Sequence, residues 1–155
     1  MELRKQNTSA SNLAPYPGDT ASVEQMLFLA EEYKESSKLL LSRSRRGVPL
    51  SRAPYRLVAL HAIELYLNAL LLHTGTAPSA IRGLHHNLAL RTEKAIASGL
   101  RLRERTAANL MALTASREYL VSRYGAELTS TTSQINRLTA TLDEVAKKVR
   151  KFVCS

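Results

Sequence analysis

Apolar residues along this 155-residue chain recur in steps of three and four, the spacing that lines side chains along one helix face. The steps and their punctuation predict five helices. The first takes Thr20 or Ser22 as its cap, carries Glu24 in its opening turn and runs through Val23, Met26, Leu27, Ala30, Tyr33 and Leu40 to about Ser44. The loop Arg45-Arg-Gly-Val-Pro-Leu-Ser breaks it. The second covers about Arg52 to His73, with Pro54 tolerated only in the first turn, and Gly75-Thr-Ala-Pro ends it. It is apolar nearly all round, which predicts the central, most buried helix. A short third helix, about His86 to Ser98, stops at Gly99, a usual C-terminal glycine position. The fourth runs from about Leu102 to Arg123 and ends at Gly125. The fifth, about Ser130 to Phe152, has the cleanest stripe: Ile135, Leu138, Leu142, Val145, Val149 and Phe152.

No strand pattern, internal repeat or low-complexity tract interrupts this reading. The length suits one domain, and short connections favour antiparallel neighbours. The expected fold is all-α, a five-helix up-and-down bundle over residues 20–155. Residues 1–19, polar and ending near Pro15, Pro17 and Gly18, read as a flexible N-terminal arm.

Two predicted helices place polar groups where burial is expected. On the fourth, Thr106, Leu110, Leu113, Leu120 and Tyr124 form one stripe, and Arg117 falls on it. Arginine keeps its charge, so burial costs several kcal/mol unless a partner compensates. On the second, His61, Glu64 and Asn68 share a narrow stripe. A Glu64–Arg117 ion pair between the helices would satisfy both charges and is the structural explanation. The functional one is a cleft in which Arg117, Arg123 and Tyr124 hold a phosphate or a base. The guanidinium fork suits the phosphate and the phenol ring suits stacking.

Charge widens the picture. The net charge is +9, clustered at Arg43, Arg45, Arg46, Arg52 and Arg56, at Arg101, Arg103 and Arg105, and at Lys147, Lys148, Arg150 and Lys151. Each cluster alone reads as solvated, and the last also complements a helix dipole. The excess as a whole favours an anionic partner. The single cysteine, Cys154, forms no internal disulfide, which fits a reducing compartment. The first residues lack the apolar core of a signal peptide, and His61, Glu64 and Asn68 interrupt the most apolar stretch, Leu57 to Leu72. A soluble cytoplasmic protein without a membrane segment is expected. His61 with Glu64, and His85-His86, make no metal-ligand pattern, and nucleophile motifs and glycine-rich phosphate loops are absent, so neither metal nor cofactor is expected. His86, followed by Asn87-Leu88, is expected to cap or pack at the third helix.

Three segments together resemble the HEPN superfamily: Ala59-Leu-His-Ala-Ile-Glu-Leu-Tyr-Leu-Asn-Ala-Leu-Leu-Leu-His-Thr-Gly, Gly83-Leu-His-His-Asn-Leu and Arg117-Glu-Tyr-Leu-Val-Ser-Arg-Tyr-Gly. The resemblance covers about residues 20–153 in order and spacing. It implies a four- or five-helix bundle, often a dimer with its late helices face to face. Some members are metal-independent RNases, including toxins of toxin–antitoxin pairs, whose signature is Arg, four to six residues, then His, with a trailing Tyr in one branch. Others lack the His and bind nucleotides or act as accessory domains. Here Arg117 matches the Arg and Tyr124 the trailing Tyr, but Ser122 stands where that branch has His. Serine cannot replace imidazole as general base near neutral pH. Asn68 stands where the family often has a Lys that pairs with the Glu, which leaves Glu64 freer for an arginine.

The sequence therefore points to a non-catalytic HEPN-like domain, homodimeric, binding a nucleotide or RNA with Arg117, Arg123, Tyr124, Glu64 and His61 at the site. One alternative is a divergent metal-independent RNase that uses Arg117 and takes its base from His61 or His86. Another is a helical scaffold or antitoxin-like module that works through a protein partner.

Overall fold

The structure, a computed structural model, describes residues 13–155. Its helices are α1 (Val23–Arg43), α2 (Ala53–His73), α3 (Pro78–Arg82), α4 (Leu88–Ala97), α5 (Glu104–Ala115), α6 (Glu118–Tyr124) and α7 (Ile135–Val153). Short 3-10 turns cover Pro49–Arg52 and Ala126–Thr131. Among the described residues there is no strand, and the all-α class stands.

Local chemistry sets most of the boundaries. Ser22 accepts the Gln25 N–H while the Gln25 side chain accepts the Ser22 N–H, a capping box that starts α1. Asn87, not His86, caps α4 by accepting the Leu90 N–H. Gly99 ends α4 with φ +112°, where glycine carries no steric penalty, and the Leu100 N–H returns to the Ala95 carbonyl.

α2 is the axis. Along it Ile63, Tyr66, Leu67, Leu70 and Leu71 are fully buried, and α1, α4, α6 and α7 all pack against it. A helix apolar on nearly every side has little solvent face to offer, so its neighbours must surround it. By length and composition the stretch Pro49–His73 could cross a membrane, but 72% of its most apolar window is buried inside the bundle. From α7, Leu138, Leu142, Val145 and Val149 complete the core, as their spacing predicts.

The predicted helix from Leu102 to Arg123 is not continuous. It breaks between Ala115 and Glu118, and Arg117 adopts φ +55°, ψ +39°. Thr106, Leu110 and Leu113 bury as expected, while Leu120 is 42% and Tyr124 73% exposed. Two costs compete here. An unbroken helix would carry Arg117 into the core, at several kcal/mol without an ideal partner. A left-handed arginine costs only about 1–3 kcal/mol. The smaller cost wins, and Arg117 is exposed.

The buried ion pair sits one residue further on. Glu118 and Arg56 are both buried and face each other at 3.4 Å. Glu118 also accepts the Ser133 N–H, and Arg56 donates to the Ser133 hydroxyl at 3.1 Å. The pair ties α2, α6 and the start of α7 together, so Arg56 is not one of the solvated arginines its cluster suggests. At the other end of the chain, Asp19 pairs with Arg82, whose guanidinium lies 4.4 Å over the Tyr16 ring. The last residues of the expected arm therefore dock on α3. Residues 1–12 of that arm lie outside the described residues.

Candidate functional site

Glu64 stands near the middle of α2, buried among apolar neighbours. Its partners are not Arg117. One carboxylate oxygen meets His86 Nδ1 at 3.1 Å and the other lies 3.5 Å from the Arg91 guanidinium. The expected Glu64–Arg117 pair is absent because the break before α6 turns Arg117 outward, whereas Arg91 enters from α4. Arg91 is 2% exposed. It donates Nε to the Asn68 side chain at 2.7 Å and reaches the carbonyls of Leu84, Asn87 and Ile81 at 3.4 Å. Its guanidinium thereby fastens the segment between α3 and α4, and with it His85 and His86, to α2. Burial lowers the Arg91 pKa and Glu64 opposes that shift; an arginine stays charged regardless.

From Glu64 a line of side chains leads to the surface. The His86 ring stacks on Tyr119 with centroids 3.9 Å apart and planes 18° from parallel. The Tyr119 hydroxyl accepts a hydrogen bond from Arg123. The Arg123 guanidinium lies 5.0 Å from the Tyr119 ring centre and 5.4 Å from that of Tyr124, within cation–π range. Arg123 and Tyr124 thus stand at the outer end of this line.

Beside it opens a pocket of about 270 Å3. Leu60, Leu88, Leu113 and Leu120 make it mainly apolar, while Glu64, His86, Thr114 and Arg117 supply polar groups. Thr114 also accepts the Ala89 N–H at 3.0 Å, joining the end of α5 to the first turn of α4. Among the described residues, His85 (φ +49°) and Arg117 (φ +55°) are the two non-glycine residues with positive φ, and both line this pocket. Left-handed strain at non-glycine residues concentrates at functional sites. A second hollow, about 570 Å3, lies on the other side of Glu64, His85 and His86 and extends to His61, Asn68 and Tyr16.

Of the sequence-predicted site residues, Arg117 and Glu64 share the smaller pocket and His61 lines only the larger one. His61 packs edge-on against Tyr33, with centroids 4.6 Å apart, and burial lowers its pKa while Glu64 partly offsets the shift. Sequence reasoning missed Tyr119, Arg91 and Thr114. Tyr119 lies off the apolar stripe of a continuous helix, and the break in φ that brings it to His86 has no glycine or proline to announce it. Arg91 shares α4 with Lys94 and Glu93, and only the packing of α4 on α2 sets it apart.

The pocket sets a few polar groups on an apolar wall. His86 and Tyr119 offer a ring surface, Arg117 a cation and Glu64 a fixed acceptor. Among the described residues no three His, Cys, Asp or Glu side chains gather as a metal site. Comparison with protein-family models, curated proteins and solved structures returned no match for this chain.

Proposed function

We propose that the chain is a non-catalytic HEPN-like domain that binds a nucleotide or RNA, acting as a homodimer, with one base or nucleotide seated in the Arg117–His86 pocket. The observation that carries this reading is the pairing of two strained residues, His85 and Arg117, on one pocket. Arg117 makes no ion pair among the described residues, so its charge is available at the pocket to a ligand. The volume lies just under the ~300–1,000 Å3 of drug-sized sites, so it suits a single base rather than a longer segment. Arg117 and Arg123 would meet phosphate, and His86 with Tyr119 would present the stacking surface. Glu64 and Arg91 would hold His86 in place.

One observation favours the enzymatic alternative. Glu64 engages His86 Nδ1, which leaves Nε2 for a proton, and Arg117 lines the same pocket. A metal-independent RNase could use His86 in place of the imidazole missing at Ser122. Titration of a fluorescent nucleotide and a labelled RNA, with EDTA present, tests both readings. His86→Ala and Tyr119→Ala are expected to weaken binding about tenfold each, from the ~1–3 kcal/mol that base stacking contributes, with the RNA intact. Unchanged affinity in both variants would remove the pocket from the site. RNA cleaved by the wild type but not by His86→Ala would establish the enzymatic reading.

A further inference from the structure

The fold joins two basic clusters that are far apart in sequence. Arg103 and Arg105 at the start of α5 and Arg137, Lys147, Lys148 and Lys151 on α7 line one elongated groove. Two carboxylates, Asp143 and Glu144, oppose these six cations. Glu144 is already engaged. It accepts from Lys148 at 2.7 Å, from the Arg103 N–H at 2.8 Å and from the Thr106 hydroxyl. Partial burial opposes its charge, but these hydrogen bonds prevail and hold its pKa at about 2. Glu144 thus fastens α7 to the start of α5 and neutralises only Lys148. Arg103, Arg105, Arg137, Lys147 and Lys151 form no ion pair among the described residues, and all five are exposed.

Their positions argue against a purely solvated face. Lys151, in the last turn of α7, complements its dipole. Arg137 lies in the first turn of α7, and Arg103 and Arg105 cap and open α5, where a cation opposes the dipole and costs a few tenths of a kcal/mol or more. Placing cations at the wrong ends of two helices, on both sides of one groove, has a use if a polyanion lies between them. We infer that this groove is a binding track for the phosphate backbone of a nucleic acid, separate from the pocket at the other end of α5. Arg137 and Lys151 stand about 21 Å apart along the helix axis, at 1.5 Å per residue, which is room for several consecutive phosphates. The lining holds no aromatic ring and no apolar side chain larger than Ala140. It therefore lacks stacking platforms for base readout, apolar anchors for a membrane and a hot-spot core for a protein partner. Recognition here is electrostatic and independent of base sequence.

Fluorescence anisotropy of a labelled oligouridine, over a series of salt concentrations, tests the inference. The wild type is expected to lose affinity steeply with salt. Arg105→Gln/Arg137→Gln/Lys151→Gln replaces exposed side chains and should fold normally. It should flatten the log–log salt dependence by about 2, at roughly 0.7 for each single-strand phosphate that is no longer neutralised. Binding of a fluorescent mononucleotide, which reports the pocket alone, should be unchanged in this variant, so the groove and the pocket fail independently. Equal affinity and slope in wild type and variant would overturn the track, as would no oligouridine binding by the wild type. Binding to phosphatidylserine vesicles in place of oligouridine would overturn it too.

Discussion

Arg117 is the residue at which a structural and a functional role part company. Were it a buried ion-pair member, truncation would cost about 3–5 kcal/mol through the charge left behind. The structure places it exposed, without an ion pair among the described residues and with φ +55°, so the expected sign reverses. Arg117→Gly should leave stability unchanged or raise it by up to about 1 kcal/mol, because relief of left-handed strain outweighs the added freedom of the unfolded chain. Urea denaturation measures the difference, and a loss of several kcal/mol would restore the buried pair. His61 makes a second residue-scale prediction. Its pKa is lowered in the fold chiefly by burial, so the unfolded chain binds more protons once the pH falls below about 6.5. Stability contributed by neutral His61 is complete above that pH and declines below it, until the folded pKa is passed. Denaturation of wild type and His61→Phe on both sides of that pH should show a flatter dependence in the variant; parallel curves would rule this out. His61 was legible as a polar residue on a buried stripe. That it faces Tyr33, away from the Arg117 pocket, depends on how α1 packs and is not contained in any local pattern.

At the scale of elements, periodicity located α1, α2, α4 and the end of α7 within a few residues, because capping and hydrophobic spacing act locally, while α7 starts at Ile135 and not at the expected Ser130. The split of the predicted 102–123 helix into α5 and α6 was not legible. The stretch Thr114-Ala-Ser-Arg-Glu carries no helix breaker; the burial cost of Arg117 favours the break, and Arg56 on α2 and the Ser133 N–H before α7 hold it from elsewhere. Both meet Glu118 and draw α6 into place. α6 has seven residues, too few for stability by itself. Glu118→Ala should therefore strip Arg56 of its buried counter-charge and cost about 3–5 kcal/mol. Urea denaturation would show it, and a change under 1 kcal/mol would mean that α6 is held by its apolar contacts alone. The same loss would carry Tyr119 away from His86, so the ion pair also supports the site.

For the whole molecule, the sequence indicated a helical bundle with a polar seam and an anionic partner. The structure gives the all-α fold and resolves the seam into a connected line from Glu64 to Arg123 that long-range packing alone could assemble. Local patterns singled out Arg117, Glu64 and Arg123 as candidates, while Arg91 and His86, which meet Glu64, and Tyr119, which meets Arg123, come from helices and loops whose mutual placement no spacing rule contains. The nearly continuous apolar surface of α2 makes the axis legible in the sequence, whereas the candidate site beside it depends on how the other helices pack. On the proposed reading, the break leaves the Arg117 guanidinium on the pocket, where its charge serves a ligand and holds nothing in the fold. Fluorescent-nucleotide and labelled-RNA binding by wild type and Arg117→Gly, each shown to be folded, decides between the two. Nucleotide binding should be lost, or weakened by about tenfold or more, the scale of one charge-assisted contact, in a variant at least as stable as the wild type. Full affinity for both ligands in Arg117→Gly would refute the ligand role.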